Sequence, residues 1–210
     1  VVLQELSRVL FEEEGLRGNA EDYYDPRNSF LNDVLDRRLG IPITLGIVMM
    51  EVGWRVGLPL CGLNFPGHFL VRYEGEVARL LIDPFDGGKA RWEDEGQDLL
   101  DRVYGGMVKI RPEFLEPASR IDILARVLTN LKGIYLNARD DVRALAAVDR
   151  ILLLRPSAAV ELRDRGLLLA RTGRTHEAVA DLERYLDHSP AAPDAHRVRS
   201  LIRDLSRQPE

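Results

Sequence analysis

The sequence predicts an α+β domain, with a buried helix against an antiparallel sheet, followed by an all-α helical domain. Three observations lead to this prediction. A helical segment near residues 44–56 has almost no polar face, which is typical of a helix covered on several sides. The hydrophobic pattern then alternates as in strands, and from about Ser119 it becomes helical again with an internal repeat. We therefore predict domains at residues 1–118 and 119–210.

Three helices are predicted in the first domain. Residues 1–15 place their apolar side chains on one side of a helix. Ser29 is a favourable N-cap for the helix after it, and Gly40 is a favourable stop for the same helix. Pro42 then stands where a helix start tolerates proline. The buried helix begins near this proline and ends at Gly57.

The sheet is predicted from short extended segments that are separated by Pro, Gly and acidic turns. Side chains along His68–Tyr73 alternate between two faces, and YEGEVAR resembles the turn of an antiparallel hairpin. The predicted strands lie in LPLCGLNF, HFLVRY, ARLLIDPF and, as a fourth candidate, MVKI. The acidic stretch RWEDEGQD is predicted to be a solvated loop.

A repeat occurs in the second domain. Shifting DDVRALAAVDRILLLRP by about 34 residues aligns it with RTHEAVADLERYLDHSP. The alignment pairs Ala144 with Ala178 and Pro156 with Pro190. This period, with small residues and a closing proline, is the tetratricopeptide pattern. We predict two repeats and a capping helix near residues 194–205, which form either a stabilising annex or a peptide-binding groove.

Composition limits the classes of function. The chain has 210 residues, of which 45% are hydrophobic and 30% charged, with a formal net charge of −5. It has no basic stripe with interleaved aromatics and no apolar run long enough for a membrane span. Its single cysteine, Cys61, excludes an internal disulfide and a multi-cysteine zinc site. We therefore expect a cytoplasmic protein with no nucleic-acid or membrane partner, no cofactor and no structural metal.

Three segments in order resemble a known family: YYDPRNSFLNDVLDRRLGIPITL, GLPLCGLNFPGHFLVRY and LLIDPFDGG. Together with the C-terminal repeats, they resemble the SirB family of transglutaminase-like proteins over nearly the whole chain. The resemblance implies a papain-like or transglutaminase-like fold followed by a tetratricopeptide-like helical domain. The biochemical function of that family is largely undefined, so the resemblance supplies no substrate.

The implied fold carries a Cys–His–Asp site. In such sites a Cys opens the buried helix, a His begins a strand, and an Asp lies on the next strand. The Asp orients the imidazole, and the His takes the proton of the thiol. By this resemblance His68 falls at the histidine position and Asp83 at the aspartate position. A bare His–Asp pair, without the resemblance, is more often structural than catalytic.

The nucleophile is absent from its expected position. The helix that would carry it begins GIPITLGIV and contains no cysteine. Thr44 offers a hydroxyl there, although a threonine at a helix start is more often a cap that accepts a backbone N–H. Cys61 is predicted on a strand, and a lone cysteine is most often a small buried apolar residue. Thr44, Cys61 and water are the three candidate nucleophiles.

Two further residues are candidates for a cleft around His68. Asn64 offers a hydrogen bond to an oxyanion, or alternatively caps the turn that precedes His68. Arg72 shares the predicted strand face of His68, where it either binds a carboxylate or pairs with a nearby acidic residue.

The missing cysteine predicts a catalytically silent relative that acts as a protein-interaction or regulatory module. Its partner would be another protein or a peptide. The retained His68–Asp83 pair favours the alternative, an amidase-like, protease-like or acyl-transferring hydrolase that uses Thr44, Cys61 or water. The sequence does not define the substrate, the partner or the oligomeric state.

Overall fold

The computed structural model describes residues 2–76 and 78–207. The chain divides into two compact units, Val1–Val127 and Leu128–Glu210. This division falls inside a long helix, α5 (Arg120–Asn137), whereas the predicted division lies just before that helix. Within the described ranges, none of the helices combines the length and the apolar character that crossing a bilayer requires.

The first unit begins with the helix that the apolar pattern predicts. Helix α1 (Val2–Ser7) is followed directly by a π-helical stretch, Arg8–Glu13. Leu6 and Leu10 are buried, in agreement with the predicted apolar side. The hydrogen-bonding pattern therefore changes midway, although the amphipathic character continues.

Helix α2 (Leu31–Arg37) forms near its predicted position, but the predicted N-cap is wrong. Ser29 is buried within a 3-10 turn, Pro26–Ser29, and Phe30 occupies the cap position. The reason is local, because the Asp25 side chain caps that preceding turn and thereby places Ser29 inside it.

The predicted stop at Gly40 is also wrong. Arg38 takes the left-handed conformation that ends the helix, with φ of 59°. Gly40 lies instead in a short strand, β2 (Leu39–Gly40), which pairs in parallel with β1 (Arg17–Gly18). A Cβ at Gly40 would lie 3.0 Å from the Thr44 hydroxyl oxygen, so the glycine permits a close approach there.

Helix α3 (Pro42–Arg55) is the central apolar helix, and it begins at Pro42 as that proline suggests. Trp54 is an exception to its burial, being 37% exposed, and its Nε1 donates to the Leu60 carbonyl at 2.8 Å. The buried residues of α3 are Pro42, Ile43, Thr44, Leu45, Gly46, Val48, Met49, Met50 and Gly53.

A four-stranded antiparallel sheet follows α3, with the strands in chain order. Its strands are β3 (Leu60–Leu63), β4 (Leu70–Glu74), β5 (Arg79–Asp83) and β6 (Lys89–Trp92). The first three correspond to predicted strands. The α+β architecture of the first unit is thus confirmed.

The fourth strand was predicted in the wrong place. The MVKI segment, residues 107–110, is irregular, and its backbone is bonded by a side chain rather than by a neighbouring strand. Gln97 donates to the Val108 carbonyl at 3.0 Å and accepts the Ile110 N–H at 2.9 Å. The acidic RWEDEGQD stretch is not a loop throughout, because helix α4 (Gly96–Tyr104) begins within it.

The two faces of the sheet bury different residues, as the alternation predicts. Val71 and Ile82 belong to the apolar cluster that contains α3. Leu70 and Leu81 belong to a second cluster, which includes Leu100 of α4. The sheet is therefore a layer between α3 and α4, and the ends of β4 and β5 define the surroundings of the candidate site.

The second unit is all-helical. After α5, it contains α6 (Asp141–Leu154), α7 (Ala159–Arg171), α8 (Thr175–His188) and α9 (Ala195–Leu205). The order of helices corresponds to two helical hairpins and a final helix. This arrangement confirms the predicted class of the C-terminal part.

Small residues bring the helices of this unit together. A Cβ on Gly166 of α7 would lie 2.7 Å from the Leu182 side chain and 3.1 Å from the Ala178 carbonyl of α8. Pro156 and Pro190 follow shortly after the ends of α6 and α8. Both features are those expected from the repeat.

Candidate His–Asp site

A tight turn positions His68 just before β4. The backbone N–H of His68 donates to the Phe65 carbonyl at 3.0 Å. Gly67 has φ of +67°, and a Cβ there would lie 3.0 Å from the Tyr104 hydroxyl oxygen. A glycine is therefore favoured by both the backbone conformation and the space. His68 precedes Leu70, the first residue of β4, so it lies ahead of the strand rather than on it.

His68 and Asp83 are brought together. His68 Nε2 lies 2.8 Å from Asp83 Oδ2, and the two side chains are 15% and 8% exposed. The other oxygen, Asp83 Oδ1, accepts the backbone N–H groups of Phe85 and Asp86 at 3.0 and 3.2 Å. The backbone that follows β5 thus orients the Asp83 carboxylate, and the carboxylate orients the imidazole of His68.

The electrostatics of the pair favour an ionised Asp83. Burial raises the pKa of Asp83. The hydrogen bond and charge of His68, together with the backbone N–H groups of Phe85 and Asp86, lower that pKa by more, so the net shift is downward. An ionised carboxylate on Nε2 favours the imidazole tautomer with its proton there. In the described part of the chain, no hydrogen bond engages His68 Nδ1, which is therefore able to accept a proton or a donor.

Thr44 is engaged at the start of α3. Its hydroxyl oxygen accepts the Ile41 N–H at 3.1 Å and lies 2.8 Å from the Asn28 carbonyl, to which the hydroxyl donates. The side chain is fully buried. Thr44 acts as a cap from the third position of the helix, since Ile41 occupies the N-cap position. Across the described ranges, no hydrogen bond joins Thr44 to His68.

Cys61 lies on β3 opposite Arg72 of β4, and its thiol is half-buried. Burial raises the pKa of this thiol, and the Arg72 guanidinium lowers it by a smaller amount. A raised pKa reduces the thiolate fraction at neutral pH. Within residues 2–76 and 78–207, no hydrogen bond joins Cys61 to His68.

Arg72 is paired away from His68. It is 5% exposed, and it donates to the Leu115 carbonyl and to the Glu74 carboxylate, both at 2.6 Å. A second carboxylate, that of Glu93, lies 3.8 Å away. The structure thus puts Arg72 in the internal ion pair that the sequence offered as one alternative.

Asn64 is exposed beside the turn, and its side-chain oxygen accepts a hydrogen bond from Arg126 at 3.3 Å. The same guanidinium donates to the His68 carbonyl at 2.6 Å. Sequence reasoning missed Arg126, because it lies on α5, far along the chain from His68, and has no motif of its own.

Two aromatic residues near His68 were also missed. The Phe85 ring meets the His68 ring edge to face, with centroids 6.3 Å apart, and meets Tyr23 at 5.9 Å. A Cβ on Gly18 would lie 2.5 Å from the Phe85 ring, so Gly18 leaves room for it. Tyr23 and Phe85 both lie in motifs that carry the family resemblance, which was the available signal.

The arrangement can accept a proton at His68 Nδ1 and can present aromatic and guanidinium groups beside it. In the described ranges, no group of three or more His, Cys, Asp or Glu side chains is arranged to hold a metal ion.

Known protein families match both parts of the chain. The Transglutaminase-like superfamily matches residues 1–129, and the Tetratricopeptide repeat family matches residues 131–203. No solved structure matches the chain.

Several curated proteins are similar along most of the chain. A UPF0162 protein of Xylella fastidiosa strain 9a5c is 42% identical over 206 residues, covering 97% of this chain and 73% of that protein. A UPF0162 protein of Vibrio cholerae serotype O1 is 31% identical, covering 95% and 74%. UPF0162 protein YchA of Escherichia coli K12 is 28% identical, covering 97% and 76%. These names do not carry the SirB label, which stays a prediction. The chain belongs to the transglutaminase-like superfamily and to the UPF0162 proteins.

Proposed function

We propose that this chain is a catalytically silent transglutaminase-like protein that acts as a protein-interaction or regulatory module. The observation that carries the proposal is the state of Thr44, at the helix start where the resemblance implies a cysteine. Its hydroxyl is fully buried and engaged with both Ile41 and Asn28. A hydroxyl that already donates to a carbonyl would have to break that bond before it could attack a substrate.

The state of Cys61 supports the same proposal. A nucleophilic cysteine needs a base within hydrogen-bond reach or a depressed pKa. Burial instead raises the pKa of Cys61, and this outweighs the lowering by Arg72 on the adjacent strand. In the described ranges, no hydrogen bond or ion pair joins His68 to Thr44 or to Cys61. In this proposal the His68–Asp83 pair serves binding rather than catalysis.

The second unit supports the interaction role. Tetratricopeptide repeats generally mediate protein–protein interaction, and this unit exposes large apolar side chains on α6 and α7. Val142, Leu153 and Val160 are 74%, 81% and 53% exposed. The partner is another protein or a peptide.

A second candidate function is favoured by one observation, the 2.8 Å contact between His68 Nε2 and Asp83 Oδ2. In an amidase-like, protease-like or acyl-transferring hydrolase, His68 Nδ1 would take a proton from water, and Asp83 would stabilise the resulting imidazolium. This version uses neither Thr44 nor Cys61.

The interaction role is tested by affinity capture with the full chain and quantitative mass spectrometry. Leu153→Gln combined with Val160→Thr should reduce the recovery of a specific partner. Met107→Gln is the matched control, because Met107 is 85% exposed in the other unit. Recovery that neither variant changes, or no specific partner, would contradict the interaction role.

A further inference from the structure

Arg126 is a half-buried cation whose hydrogen bonds all go to uncharged acceptors. It donates to the Phe65 carbonyl from both terminal nitrogens at 3.3 Å, to the His68 carbonyl at 2.6 Å and to Asn64 Oδ1 at 3.3 Å. Within residues 2–76 and 78–207, no ion pair joins Arg126 to a carboxylate. Its positive charge is therefore held beside His68 without a counter-charge from the described chain.

Other partly buried cations of the protein are paired with acids. Arg72 pairs with a carboxylate at 2.6 Å, Lys132 at 2.8 Å, Arg163 at 2.8 Å and Arg165 at 2.5 Å. Burying a charge is costly unless it is paired, so such pairing is the expected arrangement. Arg126 departs from it at the place where the family's site is predicted.

Beyond the acceptors that Arg126 already contacts, three neighbouring side chains offer hydrogen-bond donors. Burial lowers the pKa of Arg126, and the phenols of Tyr23 and Tyr104 raise it by a smaller amount. In the described ranges, neither phenol hydroxyl has a hydrogen-bond partner. Asn64 uses its oxygen for Arg126, which leaves its amide N–H groups for another acceptor. A ligand that fits this set brings negative charge and several acceptor atoms.

We propose that Arg126 anchors a carboxylate-binding site beside His68. Both terminal nitrogens of Arg126 already donate to the turn, so a carboxylate would bind at Nε–H, which has no partner among the described residues. A hydrogen bond between two charged groups is among the stronger ones in proteins. Tyr23, Tyr104 and Asn64 supply further donors, and the ring of Phe85 forms an apolar wall. The ligand is a peptide carboxylate, either at a chain terminus or on an acidic side chain.

This carboxylate site goes beyond the proposed function, because it is compatible both with a catalytically silent protein and with a hydrolase. Failure of the carboxylate site would leave the interaction role of the helical unit standing. Failure of partner capture would leave the carboxylate site standing.

The test is a titration of the full chain with small carboxylates. Nuclear magnetic resonance spectra monitor binding through the chemical shifts of the Gly67 and His68 amides. N-acetylglycine represents a chain terminus, N-acetylaspartate α-amide represents an acidic side chain, and N-acetylglycinamide is the neutral control. We expect saturable shifts with one or both carboxylates and none with the neutral amide. Inorganic phosphate tests whether any oxyanion suffices.

Variants at Arg126 assign the site. Arg126→Gln should weaken carboxylate binding by about tenfold or more, and Arg126→Lys, which keeps the charge, should weaken it less. Arg120→Gln is the matched control, because Arg120 lies on the same helix with its guanidinium over the Trp54 ring. Equal binding of the neutral amide, unchanged binding by Arg126→Gln, no saturable shift, or tighter binding of phosphate than of both carboxylates would overturn the proposal.

Discussion

The start of α3 and the end of β5 are the two sides of the site that the resemblance implies, and their polar groups are used differently. At the start of α3, both hydrogen-bonding roles of the Thr44 hydroxyl are filled by the backbone. At the end of β5, Asp83 fixes its own loop with one oxygen and the imidazole of His68 with the other. His68 Nδ1 has no hydrogen bond within the described ranges. The comparison teaches that a buried polar group whose hydrogen bonds are all made within the protein contributes to stability. A group that keeps an unused donor or acceptor is also able to bind a ligand.

The largest effect is expected at the β5 side. Asp83→Ala removes the acceptor of two backbone N–H groups and of the imidazole, so the free energy of unfolding should fall by about 3 kcal/mol. Urea unfolding measures this change. Asp36→Ala is the control at an exposed position and should change the free energy by less than about 0.5 kcal/mol. If both variants behave alike, the Asp83 bonds do not hold this end of the sheet.

A somewhat smaller effect is expected at the α3 side. Thr44→Val keeps the shape but leaves the Ile41 N–H and the Asn28 carbonyl unpaired, which should cost about 2 kcal/mol in the same urea experiment. Thr44→Ser keeps the hydroxyl and should recover most of that loss. Equal losses for Val and Ser would mean that packing of the methyl group, rather than the cap, accounts for Thr44.

The pH dependence should separate the two sides further. The folded pKa of Asp83 is lowered, so its contribution to stability is present above the unfolded pKa of about 3.9 and is lost as pH falls through the folded pKa. The difference in unfolding free energy between the wild type and Asp83→Asn should shrink in acid below about pH 4. Thr44→Val, which involves no titrating group, should show no such change. A difference that grows in acid would contradict this sign.

The smallest structural effect is expected at Cys61, which lies on neither side of the site. A half-buried thiol with a raised pKa should react slowly with a thiol reagent at pH 7 and faster after unfolding in urea. Cys61→Ser should give no labelling and serves as the control. Equal rates in the folded and unfolded chain would mean that burial does not protect the thiol.

Sequence patterns predicted the elements with strong periodicity. The apolar helix α3, the alternation along β4 and the small residues of the helical repeat each follow from local spacing. The motif resemblance identified His68 and Asp83 as candidate site residues. In the structure His68 Nε2 lies 2.8 Å from Asp83 Oδ2. These features are recognisable because each leaves a pattern in the sequence, either a regular spacing of side chains or a motif.

Other features depend on tertiary contacts and were therefore missed. Helix α4 begins inside an acidic stretch whose composition suggests a loop, and buried Leu99 and Leu100 stabilise it. The role of Arg126 depends on the packing of α5 against a distant turn. Ser29 has the preferred residue type for a cap, but Asp25 caps the preceding turn and displaces it.

The central claim is that His68 activates neither Thr44 nor Cys61 as a nucleophile. The most direct measurement is covalent labelling of the folded wild type and of His68→Ala with a fluorophosphonate and an iodoacetamide probe, with the modified residues mapped by mass spectrometry. We predict no adduct at Thr44 and the same slow labelling of Cys61 in both proteins. An adduct at Thr44, or labelling of Cys61 that is lost in His68→Ala, would contradict the claim.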